Sequence, residues 1–266
     1  MRKNTNELFF QLVALMVAII LVHAAYVTVV RPNADSIVNH AAEVAAAGGE
    51  YVVPRSFWVV IKDFEQEACF VLMIWALAIM GYKTRTAMRE SRMLEMPLVS
   101  IAEGTRILPG DTGQLLRPLQ SLPERQQSYL LPRALSTALS RFQVTSSVEA
   151  ATEAAHSACE AESSRLDSEL SMVRYITWAI PSIGFIGTVR GIGSALGQAH
   201  EAMAGNIAGV TASLGVAFNS TFVALLISMV VMFFMHQLQL MQERLVLDTY
   251  AYCETRVLRF LKSLTT

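Results

Sequence analysis

The sequence predicts an all-α fold: a polytopic membrane protein with four transmembrane helices, the long ones extending into a cytoplasmic helical domain. Three observations carry this. The 266-residue chain is 53% hydrophobic and 16% charged, where soluble domains run near roughly 45–50% and about 25%, and its mean hydropathy is +0.41. Apolar runs close to the ~20 residues that cross a bilayer as helix occur four times. Between them, apolar residues recur at spacings of three and four, and no alternating apolar run bounded by turns marks a strand. A formal net charge of -1 gives no basic footprint for nucleic acid. Cys69, Cys159 and Cys253 have no spacing that reads as a zinc site or a disulfide framework.

The first span runs from Leu8 to Val30, uncharged, with His23 as its one group that titrates near neutral pH. The second, Phe64 to Tyr82, carries Glu65 and Glu67 at its outer edge. Tyr175 to His200 contains one charge, Arg190, and Asn206 to Met235 contains none. Arg2 and Lys3 precede the first span, and Lys83, Arg85, Arg89 and Arg92 follow the second, whereas the segment between them leans acidic. The positive-inside rule then places both termini in the cytoplasm. Arg2-Lys3, an apolar run and Val22-His23-Ala24 also resemble a cleavable signal peptide. The run stays uncharged through Val30, longer than such a peptide needs, so a retained span is expected.

This divides the chain into residues 1–82 (spans one and two with a short outer loop), 83–171 (a cytoplasmic helical domain), 172–236 (spans three and four) and 237–266 (a C-terminal cytoplasmic helix). Pro97, Pro109, Pro118, Pro123 and Pro132, with Gly104, Gly110 and Gly113, break the first cytoplasmic piece into short helices and turns. Arg133 to Ile180 holds neither Gly nor Pro. With Val148, Ala151, Ala155, Cys159, Leu166, Leu170 and Val173 at helical spacing, it reads as one long helix entering the membrane unbroken at Tyr175. Tyr250, Cys253, Val257, Phe260 and Leu264 repeat the pattern at the C-terminus. Residues 40–50, Ala/Gly-rich, read as a short helix or loop. Arg89, Glu90, Arg92 and Glu95 read as a solvated charged turn.

Eight of the fourteen glycines lie between Gly184 and Gly215. In a membrane that density means close helix contact, because small residues let backbones approach. Gly184, Thr188, Gly191 and Ala195 share one face of span three, with Gly187 and Gly191 as a small-xxx-small pair beside it. Ser213, Ala217, Thr221, Ala224 and Ser228 share a face of span four. Pro181 removes a backbone donor and frees a carbonyl one turn earlier, near Thr177. The middle of both spans lacks Asp, Glu, Lys and His. Thr188, Ser213, Ser220, Thr221 and Asn219 can hydrogen-bond water, an ion or a carboxylic acid, and none titrates near neutral pH. An ion-carrying acid would have to come from another chain. Arg190 lies about 200° round the helix from Thr188, so it is expected to snorkel to the headgroups or to a partner carboxylate. His23 is expected to cap or pack, and His200 and Glu201 to mark the outer turn.

Pro181-Ser182-Ile183-Gly184-Phe185-Ile186-Gly187-Thr188-Val189-Arg190-Gly191-Ile192 resembles the third-span motif of the MotA/TolQ/ExbB family of proton-channel stator proteins. Leu214-Gly215-Val216-Ala217-Phe218-Asn219-Ser220-Thr221 falls where that family has its next, small and polar span. The resemblance covers about Trp178 to Leu226 in motif and the rest of the chain in layout. The four-span layout is similar to the MotA branch and the Gly-Thr signature to the TolQ/ExbB branch. It implies an inner-membrane subunit of five copies around two copies of a single-span MotB/TolR/ExbD-like partner, whose intramembrane aspartate carries H+, with Na+ as the alternative. No cofactor is implied. Carried over, Thr188 and Thr221 line the path, with Ser213 and Ser220 beside it, and Pro181, Gly184, Gly187, Gly191 and Ala217 set packing and pore shape. Two departures are visible: Val216 stands where ExbB-type proteins carry a glutamate, and Arg190 where the TolQ/ExbB branch has an aromatic residue.

The leading expectation is therefore an ion-driven stator subunit. The rival is a non-conducting helical scaffold or signalling protein whose glycines only pack. An enzyme has little support: Gly191-Ile192-Gly193 lies in a span with no preceding strand, and no metal-ligand cluster or nucleophile–base pair is visible in the sequence.

Overall fold

The computed structural model describes residues 2–46, 56–99, 101, 106–205 and 207–262. The chain folds as α1 (Arg2–Ala25), a π-helical turn (Tyr26–Val30), α2 (Arg31–Ala46), α3 (Phe57–Val60) and α4 (Phe64–Leu94). After a 3-10 turn at Pro109–Asp111 follow α5 (Thr112–Gln120), α6 (Glu124–Gln127), α7 (Leu130–Thr145) and α8 (Val148–Glu169). Then come α9 (Ser171–Gly197), α10 (Ala199–Met203), α11 (Ala208–Arg256) and a last 3-10 turn at Leu258–Phe260. No strand occurs among the described residues; Ile107 and Leu261 form a single parallel bridge. Four helical stretches, Glu7–Val44, Phe64–Leu94, Val148–Gly197 and Ala208–Phe260, are long and apolar enough to cross a membrane. The all-α, four-span class is what the chain adopts.

The chain divides into two compact units, residues 1–81 with 172–235, and residues 82–171 with 236–266. In the first, Ala18, Val22, Tyr26, Val30 and Ala34 form one buried row at intervals of four. An ideal α-helix turns in 3.6 residues, so such a row drifts around it. The π turn at Tyr26–Val30 holds one residue more per turn and brings the row back onto one face. The expected outer segment at 40–50 is helix α2 up to Ala46; its remainder lies outside the described residues.

In the second unit Leu130, Leu131, Leu135, Leu139 and Phe142 of α7 close on Ala151, Ala155 and Cys159 of α8 and on Cys253 and Val257 of α11. Of the periodic residues of the sequence, Ala151, Ala155, Cys159, Cys253 and Val257 lie in this core and Val148, Tyr250 and Phe260 pack against it, whereas Leu166 and Leu170 are outside it and Val173 belongs to the first unit; Leu264 lies outside the described residues. The single helix expected over 133–180 is interrupted twice. Ser146 takes the left-handed conformation (φ 54°) and closes α7. Ser147 is extended and caps α8, its hydroxyl accepting from the Ala150 amide at 3.2 Å. The helix tightens again at Leu170, whose amide donates to the Asp167 carbonyl. Three consecutive hydroxyl residues, Thr145-Ser146-Ser147, offer the backbone local partners and so break the helix without Gly or Pro. The passage through Tyr175 is unbroken, as expected.

Glu90 also departs from the expected solvated turn. It is buried, and its carboxylate accepts the Leu130 amide at the start of α7 at 3.2 Å, where an anion suits the free N–H groups of a helix N-terminus. Arg89, Arg92 and Glu95 are exposed, as expected. Glu162, also buried, continues the Ala151–Ala155–Cys159 row and sits between the Arg133 and Arg165 guanidiniums.

Candidate functional site

Helices α9 and α11 lie against each other along their small faces. A Cβ on Gly184 would overlap Ala224, and one on Gly187 would overlap Ser220. A Cβ on Gly191 would stand 2.6 Å from the Ala217 amide nitrogen and 2.7 Å from the Ser213 carbonyl oxygen. Glycine is required there by close backbone approach. Gly193, Gly197 and Gly215 face open space, so the glycine-rich run contains two kinds of position. Ala217 is fully buried in the seam.

At the middle of this seam the hydroxyls of Thr188 and Thr221 share a hydrogen bond. The Ala217 carbonyl lies 3.0 Å from the Thr188 hydroxyl and the Gly184 carbonyl 3.1 Å from that of Thr221, so one proton joins the pair and the other is free to go to a carbonyl. Both side chains are half-buried. Pro181 leaves the Thr177 carbonyl without its intrahelical partner, and the Ser228 hydroxyl of α11 donates to that carbonyl at 3.3 Å. The helix runs through the proline without interruption.

The other two expected pathway hydroxyls lie elsewhere. Ser213 bonds the Ser194 hydroxyl at 3.2 Å and accepts from Gln198 Nε2 at 3.1 Å, toward the α10 end of the seam. Ser220 is turned toward α4, where Gln66 Nε2 approaches its Oγ at 3.4 Å and also donates to the Val60 carbonyl at 3.2 Å. Gln66 is wholly buried, and its Oε1 has no partner. The structure thus brings the Thr188 and Thr221 hydroxyls together against Gly184 and Ala217, while Ser213 and Ser220 line the same seam with their hydroxyls on other partners.

The start of α4 carries two networks of charged and polar side chains. Arg190 donates through Nε and Nη2 to the two oxygens of Glu65, at 2.7 and 2.9 Å, with Asp63 at 3.9 Å. Glu67 bridges His23 Nδ1, at 2.7 Å, and the Arg31 guanidinium, which lies over the Phe64 ring at 4.6 Å. The carboxylate expected for Arg190 is therefore one of this chain's own, and His23 is hydrogen-bonded to Glu67 rather than capping a helix. The missed residues are Asp63, Glu65 and Gln66. Their signal was electrostatic: one arginine in an otherwise uncharged span needs a counter-charge at the same depth, and acids inside the second span are the nearest supply. His200 and Glu201 lie in α10, which has no buried residue. Among the described residues no group of His, Cys, Asp and Glu is disposed to hold a metal ion.

Two long apolar helices packed through small residues, with a hydroxyl pair in their seam, define a polytopic membrane protein with a polar line between its third and fourth spans. Residues 126–250, from α6 through most of α11, match the sequence model of the MotA/TolQ/ExbB proton channel family. No curated protein and no solved structure matches the chain.

Proposed function

We propose that this chain is the pore-forming stator subunit of an ion-driven motor in the bacterial inner membrane, with both termini cytoplasmic. Five copies surround two copies of a single-span MotB/TolR/ExbD-like protein, whose intramembrane aspartate binds and releases the ion. The ion is H+, with Na+ as the alternative, and no cofactor takes part. The observation that carries this reading is the Thr188–Thr221 pair, set in a seam between two spans whose middles hold no Asp, Glu, Lys or His.

An aspartate in a low-dielectric pore is costly when charged and far less so when protonated. Two hydroxyls supply two protons and four lone pairs. While one proton lies in the bond between them and the other on the Gly184 or Ala217 carbonyl, free lone pairs remain to receive a protonated acid. A hydroxyl that turns outward can instead donate to a carboxylate. The threonines thus serve both charge states of a passing acid without holding charge themselves. A two-state element of this kind is one that a gradient can bias.

Thr188→Val and Thr221→Val keep side-chain shape and remove the hydroxyl. Each is expected to abolish ion flux in proteoliposomes made from the complex purified through a tag on this chain, while the complex assembles at the wild-type level. Wild-type flux in both would refute the reading. The non-conducting scaffold makes the opposite forecast, and further requires that no single-span protein with an intramembrane aspartate co-purifies.

A further inference from the structure

We propose that Arg190 is a positioning residue of this path: its fork onto Glu65 fixes the rotation of α9, and with it the face on which Thr188 meets Thr221. The inference rests on the ion-path reading above. Arg190 is the one charged residue between Tyr175 and Gly197, roughly 10 Å inside the outer end of α9 at 1.5 Å per residue.

Gly187 lies three residues earlier on the same side of the helix. A Cβ there would stand 3.2 Å from Glu65 Cγ. The Glu65 stem therefore passes over Gly187, and its head ends in the two-pronged bond with Arg190. Stem and head constrain α9 at two levels, so it can neither slide along α4 nor turn on its axis without breaking a contact.

Thr188 points about 200° away from Arg190, so what holds one side chain against α4 aims the other at α11. Charge balance alone would need neither the glycine slot nor the fork, since any cation would meet it. A fixed azimuth needs both, because the planar guanidinium sets direction as well as distance.

The test uses the tagged native complex in proteoliposomes, with flux read by a pH-sensitive dye. The register of α9 on α4 is read separately. Native Cys69 lies 3.6 Å from the Ile180 carbonyl, so disulfide formation between Cys69 and an Ile180→Cys substitution, mapped by mass spectrometry, reports it. Arg190→Ala and Glu65→Ala are each expected to lower flux at least about tenfold, as misplacement of a reacting group does, and to lower the cross-link yield. Arg190→Lys should fall between Ala and wild type, and the exchange Glu65→Arg with Arg190→Glu should restore both readouts.

Wild-type flux and cross-linking in Arg190→Ala would overturn the proposal, as would an exchanged pair that assembles yet restores neither. If Arg190→Ala fails to assemble, the Lys variant and the exchange decide, since both keep charge in the membrane balanced. Unaltered flux in Thr188→Val refutes the ion-path reading instead, and the cross-link still reports whether the clamp exists.

Discussion

Gly191 and Gly193 are two residues apart in one helix and differ in what stands opposite them. At Gly191 a methyl group would meet backbone atoms of α11, which cannot swing aside; at Gly193 it would meet nothing. Gly191→Ala is expected to lower the stability of the purified protein by about 1–3 kcal/mol, the usual cost of overpacking. Gly193→Ala should leave it unchanged or raise it by roughly 0.5–1 kcal/mol through helix propensity. Thermal unfolding in one detergent, side by side, checks the pair, and equal shifts would mean that the seam is not where the structure puts it. At this scale the sequence was legible where chemistry is local. The small faces and the two threonines follow from helical spacing, and so does the freed carbonyl below Pro181. The partners of Arg190 and His23 were not legible, because the acids that meet them lie 125 and 44 residues away in the chain. Spacing along one helix carries no information about its neighbour.

The break between α7 and α8 rests on one cap. Ser147 holds the Ala150 amide, and its loss in Ser147→Ala should cost about 1 kcal/mol. Hydrogen exchange is the suitable measurement: amides in the first turn of α8 should exchange faster while those around Cys159 stay protected. Uniform exchange along α8 in both proteins would show that the cap does no such work. The interruption was hidden in the sequence because glycine and proline are the usual marks of a helix end, and here hydroxyl side chains end it. The buried carboxylates Glu90 and Glu162 were hidden for a related reason. Each looks solvated by residue type, yet each is held inside by a donor from another element, the Leu130 amide for one and Arg133 of α7 for the other, which Arg165, three residues on in α8, joins.

For the whole molecule the flanking charges forecast which parts face which compartment. All three cysteines are buried, so an introduced thiol is the one expected to react with a membrane-impermeant maleimide. Ser36→Cys, on the exposed side of α2, should label in intact spheroplasts. Glu124→Cys, exposed in α6, should label after lysis alone; the reverse pattern would invert the proposed orientation. The number of crossings was legible because a bilayer demands long apolar runs whatever packs against them. How far the helices continue past the bilayer was not. α11 has 49 residues, a length of roughly 74 Å, and hydropathy falls silent where lipid ends.

The π turn at Tyr26–Val30 carries a consequence for the evolutionary plasticity of the N-terminal region. Its surplus residue acts as a phase shifter between two stretches of ordinary helix. Deleting Thr28 alone would let the turn relax to regular α-helix with Ala18, Val22 and Ala34 still on one face, whereas inserting one residue into the regular helix beside it would swing Ala34 about 100° out of line. Point substitutions on the lipid side of this region should therefore drift freely and a single deletion within the turn should be tolerated, whereas single-residue insertions between Ala25 and Arg31 should be purged.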